Sequence, residues 1–334
     1  MGLKLGSIIP KKQIEFEDLK NKKIAVDASQ MLYQFISSIR QPDGTLLSDS
    51  NGNVTSHLIG ISTRIPNLLL KEIKPAFVFD GIPPEIKARE QEKRYALKEA
   101  SLKKFEEAEE SGDEELMLKY SRQTSRINKE MQEETKELLK AFGLPILQSP
   151  SEAEAQCSYL CKNKDVDYVG SSDYDSLLYE APLIVRNLTV SQRRKLPNGS
   201  SIKISPEIIE LSQVLKELKI SHEQLLILAI LTGTDYNPGG IKGIGPKKAL
   251  KLIKENKDYN KIFQELNAEF DWKEIYNTFK NMQVEKNIKL KFNQINKEKV
   301  KEILVERHEF NKERIDKMLS QFKDNKNSSL NKWG

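Results

Sequence analysis

The sequence predicts an α/β protein: a mostly parallel central sheet flanked by helices, with a helical insertion and a helix-hairpin-helix element. Two observations carry this. Short apolar runs bounded by turn residues recur at Lys23-Ile24-Ala25-Val26, Ala76-Phe77-Val78-Phe79, Leu144-Pro145-Ile146-Leu147 and Val166-Asp167-Tyr168-Val169, and read as buried strands. Each run is followed by acids: Asp27, Asp80, the pair Glu152 and Glu154, and the pair Asp173 and Asp175. In open α/β sheets functional groups gather just beyond the carboxyl ends of the strands, so the acids and the runs predict one architecture together.

Composition sets the bounds. The chain has 334 residues, room for one large domain or two smaller ones, with 31% charged and 38% hydrophobic residues. No apolar run is long enough to span a bilayer, and Met1 to Gly6 lacks the apolar core of a signal peptide. Gly6 stands where a myristoylation motif needs Ser or Thr. A net charge of +5 permits a polyanionic partner. Cys157 and Cys161, four apart, read as reduced core residues, and His57, His222 and His308 have no zinc spacing.

Taken in order, residues 1–22 are a polar, basic lead-in. The first strand ends at Asp27, and Met31-Leu32-Tyr33-Gln34-Phe35-Ile36 reads as a helix on the sheet, with Tyr33 either core or a stacking surface. A loop over 40–55 precedes a helix from Ser56 to Lys71, and the next strand runs from Pro75 to Phe79. From Pro84 to Phe142 the chain is charged and helix-forming, broken only at Gly112-Asp113. Such a helix is either a solvated insertion held by ion pairs four residues apart or an arm beside the acids. Lys87 and Arg94, seven apart, share one face of it.

The acidic stretch comes next. Glu152 follows Ser149 by three in a capping-box pattern, and Asp173 could cap a helix to Leu177-Leu178. Together, however, so many carboxylates at one sheet edge repel unless a cation lies among them, and hard oxygen donors suit Mg²⁺ or Mn²⁺. Pro182 to Leu188 is a further strand, 190–201 a basic hairpin or loop, and Glu207 to Leu218 a helix. Ser221 caps a helix to Leu231, which leads to Asp235, a seventh candidate ligand.

Gly243-Ile244-Gly245-Pro246-Lys247-Lys248 follows, a Gly-x-Gly turn opening a helix at Pro246. It is either a plain tight turn or a helix-hairpin-helix (221–254) that grips DNA backbone through glycine backbone, free helix N–H groups, Lys247 and Lys248. Helices are expected over Tyr259–Leu266, Trp272–Phe279 and Lys297–Phe322, then a polar tail from 323 to 334.

Six stretches resemble the structure-specific 5′ nucleases, most closely their flap endonucleases: Val-Asp-Ala-Ser at 26–29, Val-Phe-Asp-Gly at 78–81, Pro-Ser-Glu-Ala-Glu-Ala at 150–155, Ser-Ser-Asp-Tyr-Asp at 171–175, Thr-Gly-Thr-Asp-Tyr at 232–236 and Gly-Ile-Gly-Pro-Lys-Lys-Ala at 243–249. The resemblance implies one nuclease domain over 1–322 with a helical arch at 84–142. It implies two Mg²⁺ ions (or Mn²⁺) held by Asp27, Asp80, Glu152, Glu154, Asp173, Asp175 and Asp235. Lys87 and Arg94 would engage the scissile phosphate, Tyr33 would stack near a displaced base, and Gly2 would lie at the site. The turn at Gly243 and Gly245 would hold duplex backbone with a K⁺ ion.

The implied substrate is branched DNA with a 5′ flap, cut in replication and repair by a monomeric enzyme with 5′–3′ exonuclease activity as well. The short tail looks archaeal, which implies the cytoplasm; a eukaryotic chain would be nuclear. The family's sliding-clamp motif is degenerate here: Leu330 and Trp333 stand in place, but Asn327 replaces Gln and Gly334 an aromatic residue, so clamp binding is expected to be weak. The rival reading is a non-catalytic junction-binding scaffold.

Overall fold

Ile24, Val26, Phe77 and Phe79 pack on one face of the central sheet, Ala25 and Val78 on the other. That alternation is what a pleated strand imposes. The computed structural model describes residues 3, 5–111, 116, 120, 127–190, 193–195 and 200–322. In chain order the sheet strands are β1 (Lys12–Gln13), β2 (Lys23–Asp27), β3 (Lys74–Phe79), β4 (Ile146–Gln148), β5 (Tyr168–Gly170), β6 (Leu183–Arg186) and, after a hairpin of β7 (Arg193–Lys195) and β8 (Ser201–Lys203), β9 (Glu207–Glu210). Their spatial order is β1-β9-β6-β5-β2-β3-β4. The five strands from β6 to β4 are mutually parallel, and β9 and β1 add antiparallel at one edge. The mostly parallel sheet read from the sequence is the one observed.

Helices cover both faces. The first face carries α1 (Ala28–Ser38), α2 (Ser56–Leu70) and the C-terminal helical segments through Val300, Ile303, Ile315 and Leu319. Between them in the chain lie α3 (Glu85–Ser111), which leaves the sheet after β3, and α4 (Lys129–Ala141), which returns to that face. The second face carries α5 (Ala153–Lys162), α6 (Leu211–Leu218), α7 (His222–Thr232), α8 (Pro246–Glu255), α9 (Tyr259–Glu265) and α10 (Trp272–Lys280). Helix α7 is apolar nearly all round and buries every residue from Leu225 to Thr232, so it runs through the core. Ser221 caps it as expected, its hydroxyl accepting from Gln224 N at 3.1 Å. Among the described residues no helix is long and apolar enough to cross a membrane.

Three stretches differ from the sequence reading. Lys129–Ala141, expected to belong to a solvated insertion, form a core helix that buries Met131, Leu138 and Leu139. Their spacing of seven and eight is one apolar stripe. The helix expected from Glu207 begins at Leu211, because Glu207–Glu210 pair antiparallel with β6 and bury Ile209. The single helix expected over 297–322 is three pieces: a turn of helix at Lys297–Lys301, a wider-wound segment at Glu302–Arg307, and α12 (Lys312–Ser320) after a break, with α11 denoting the first piece. The break falls where His308 turns inward and Asn311 caps the next helix, accepting from Arg314 N at 2.8 Å.

Candidate active site

The order of the strands fixes where a site can form. From β2 the chain moves to β3 and β4 on one side, then returns to lay β5 and β6 on the other. The crevice beyond the carboxyl ends of β2 and β5 is therefore the switch point of the sheet, where α/β proteins bind ligands. Asp27 is the last residue of β2 and also the N-cap of α1, accepting from Gln30 N at 2.9 Å. Asp173 and Asp175 lie just after β5, and Asp80 just after β3. Glu152 is the cap position of α5, but its side chain makes no capping bond, and Glu154 sits in the first turn. Asp173 caps no helix either; only a short 3₁₀ turn at Asp175–Leu177 follows. Neither structural alternative for these two acids is what the fold uses.

The strand ends are knitted tightly. Gly81 N donates to Ser151 O at 2.6 Å, and Ala153 N donates to Asp80 Oδ1 at 2.8 Å. A Cβ on Gly81 would sit 2.1 Å from the Ser149 carbonyl oxygen, so only glycine lets the two loops approach this closely. Asp80 is thereby held beside Glu152.

The seven carboxylates lie near enough to act on one another. Glu154, Asp173 and Asp175 each offer an oxygen within 4.8 Å of the others. Burial, then the charge of Asp80, pushes the Asp27 carboxyl up to about 8. Burial, then Asp235 and Asp173, pushes Asp175 up to about 8 as well. Glu154 is raised well above the carboxylate range by burial and by Asp175, and Glu152 is raised by burial against the pull of Lys87. Burial also raises Asp173. Charges this close and this dry oppose their own ionisation.

Among the described residues, one side-chain cation pairs with them directly. Lys87, in the first turn of α3, pairs with Glu152 and lies 3.6 Å from Asp235. Burial alone would lower its ammonium, but Glu152 and Asp235 outweigh that and raise it. Arg94 lies two turns further along α3, with its side chain outside the described part. Tyr33 is 42% exposed on α1, so it is a surface residue and not core. Gly2, Leu330 and Trp333 lie outside the described residues.

The donor set fits hard divalent cations. It contains only oxygen, and Asp175 Oδ1 is buried without a hydrogen-bond partner among the described residues. An orphaned buried carboxylate oxygen is costly unless something positive meets it.

Helices α7 and α8 are joined through Gly243 and Gly245. Gly243 has φ +80°, a conformation that favours glycine, and open space where a side chain would point. Gly245 is the N-cap of α8 and Pro246 its first residue, with Lys247 and Lys248 exposed beside them. The turn thus presents bare backbone and two ammonium groups to solvent.

The sequence reading missed Gln30, Gln148 and Arg186. Gln148 donates to the Asp80 carbonyl. Arg186, at the end of β6, donates from Nε to Ser172 O at 3.0 Å and stacks 4.7 Å from the Tyr174 ring. A lone polar residue in a helix or strand carries no spacing signal, so none of the three stood out.

Comparison with known proteins agrees with this geometry. The XPG N-terminal domain matches residues 1–101 and the XPG I-region residues 143–235. Flap endonuclease 1 of Thermococcus onnurineus is 46% identical, covering 100% of this chain and 99% of its own. Flap endonuclease 1 of Aeropyrum pernix is 45% identical, covering 96% of this chain and 94% of its own. The structure of flap endonuclease-1 from Methanococcus jannaschii superposes with TM-score 0.77 at 40% identity, over 96% of this chain and 97% of that one. The catalytic core of Rad2 in complex with DNA substrate shares the fold, with TM-score 0.73 at 23% identity over 96% of this chain and 99% of that one. Sequence, fold and the acidic crevice converge, and the chain belongs to the flap endonuclease 1 family of XPG nucleases.

Proposed function

We propose that this chain hydrolyses a DNA phosphodiester at 5′ flap junctions, with two divalent cations, Mg²⁺ or Mn²⁺, held by Asp27, Asp80, Glu152, Glu154, Asp173, Asp175 and Asp235. Membership of its family makes it a metal-dependent, structure-specific flap endonuclease. Bound cations supply charge against the phosphate and make water a competent nucleophile near neutral pH.

The chain's own groups do the rest. Lys87 already points into the acids, and it meets an incoming phosphate by exchanging its Glu152 partner for a phosphate oxygen. Arg94 adds a second guanidinium donor from the same helix. Tyr33 offers an exposed ring to an unstacked base. The turn at Gly243 and Gly245, with Lys247 and Lys248, holds duplex backbone, and its carbonyls take a K⁺ ion. Gly2 adds backbone at the pocket. Phosphate contacts carry no base information, so selection is by DNA shape and weakens with salt. In the tail, Leu330 and Trp333 provide a weak sliding-clamp contact.

The observation that carries the reading is six acids from four strand ends, with Asp235 from beyond α7, gathered at one crevice, and a lysine from the adjoining helix reaching in. The test is cleavage of labelled flap, nicked and single-stranded DNA with and without Mg²⁺. Cleavage is expected only with Mg²⁺ and chiefly on the flap. Lys87→Met is expected to slow it by roughly 10²- to 10³-fold while flap binding persists. Full cleavage by Asp80→Ala, or in chelator, overturns the proposal.

A further inference from the structure

The carboxylates of β2 and β5 belong to different strands, so something must set their spacing. Gln30 touches both. Its backbone N–H donates to Asp27 Oδ1 at 2.9 Å, and its side-chain Nε2 donates to Asp173 Oδ2 at 2.9 Å. Its Oε1 accepts from Ser172 N at 2.6 Å and from Ser171 Oγ at 3.2 Å. A backbone N–H can only donate, which turns the amide oxygen to Ser172 and leaves the NH₂ facing Asp173. The amide therefore has one orientation. Arg186 grips the same loop from the other side through Ser172 O. The backbone of Ser172 is thus held at both its N–H and its carbonyl, and Asp173 follows it directly.

We infer that Gln30 is a positioning residue for the cation site: it fixes Asp173 at a set distance from Asp27, so that ligands from two strands meet one ion. The inference rests on the cation reading above. Both functions of the amide are needed, an acceptor for the loop and a donor for the carboxylate. Groups that orient metal ligands typically change affinity 10- to 100-fold when removed.

Gln34 supplies a control. It lies one turn further along α1 and accepts from Thr189 Oγ1 at 2.8 Å, a comparable helix-to-loop bond that reaches no acid of the cluster. The experiment is Mn²⁺ binding without DNA, followed by the electron paramagnetic resonance of free Mn²⁺, with melting temperatures measured alongside. The arms are the unsubstituted protein, Asp175→Asn, Gln30→Met, Gln30→Asn and Gln34→Met.

The expected result is a tenfold or greater loss of Mn²⁺ affinity in Gln30→Met. Gln34→Met keeps full affinity with a similar melting temperature. Gln30→Asn, an amide on an arm one methylene shorter, is expected to weaken binding with less effect on folding, which keeps the test open if the Met variant folds poorly. Unchanged affinity in both Gln30 variants, or equal losses in Gln30→Met and Gln34→Met, overturns the inference. Absence of Mn²⁺ binding in the unsubstituted protein, or full binding by Asp175→Asn, overturns the cation reading instead, so the two failures are distinguishable.

Discussion

Two buried polar clusters lie in this molecule, and they are built on opposite rules. Beside the loop over 40–55, acids alternate with histidines. His57 Nε2 meets Glu134 Oε2 at 3.2 Å, Glu134 Oε1 meets His308 Nε2 at 3.0 Å, and His308 Nδ1 meets Asp49 Oδ2 at 3.0 Å. Burial would raise Asp49, but Asn53, His308 and the Asn51 N–H hold it down to about 2. The hydrogen bond from His57 lowers Glu134. In the crevice, acids face acids, and Asp27 and Asp175 are pushed up to about 8. The first cluster gives each of its acids a histidine partner and ties α2, α4 and the C-terminal break together, with His57 Nδ1 left without a partner among the described residues. The second is short of positive charge, with Lys87 the one described side-chain cation pairing directly with its acids. A cluster whose acids find partners within the chain is scaffold; one whose acids cannot is waiting for a ligand.

Substitution should separate the two. The largest effect is expected from Asp175→Asn, which removes an orphaned charge. Flap cleavage falls on the order of a thousandfold, while the melting temperature in chelator rises as repulsion is relieved. A fall in melting temperature would mean that the acids stabilise the bare fold. His308→Ala should do the reverse: a loss of about 2 kcal/mol in urea unfolding, with the cleavage rate of the folded enzyme retained. The smallest effect concerns acid. The Asp49 carboxyl lies below its ordinary value of ~3.9, so its charge stabilises the fold above that pH, and the benefit disappears as pH falls toward 2. The stability gap between the unsubstituted protein and Asp49→Asn should be full at pH 6 and should close in that acid window. A gap that stays constant with pH would remove Asp49 from the chain of charges.

The crevice was legible in the sequence and the histidine chain was not, for one reason. Asp27, Asp80, Glu152 and Asp173 each follow an apolar run that ends at the same edge of a parallel sheet, so local pattern plus topology brings them together. His57, Glu134, His308 and Asp49 come from four places with no shared period, and only the packed fold makes them neighbours. Helix α4 misled for the opposite reason. Its many charges hid a narrow stripe of Met131, Leu138 and Leu139 that was sufficient to bury it. At Glu207 the helical spacing of the following residues masked four positions that antiparallel pairing with β6 turns into strand.

The clash-free contact at Gly81 has a wider consequence. Because that residue has no side chain, the chain leaves the acids in a fixed direction just before α3 begins. The stretch beyond Arg94 can lengthen, shorten or change composition over generations without disturbing the acids or the Lys87 that pairs with them. Descendants of such a scaffold are free to acquire new preferences for DNA shape while inheriting their chemistry unaltered.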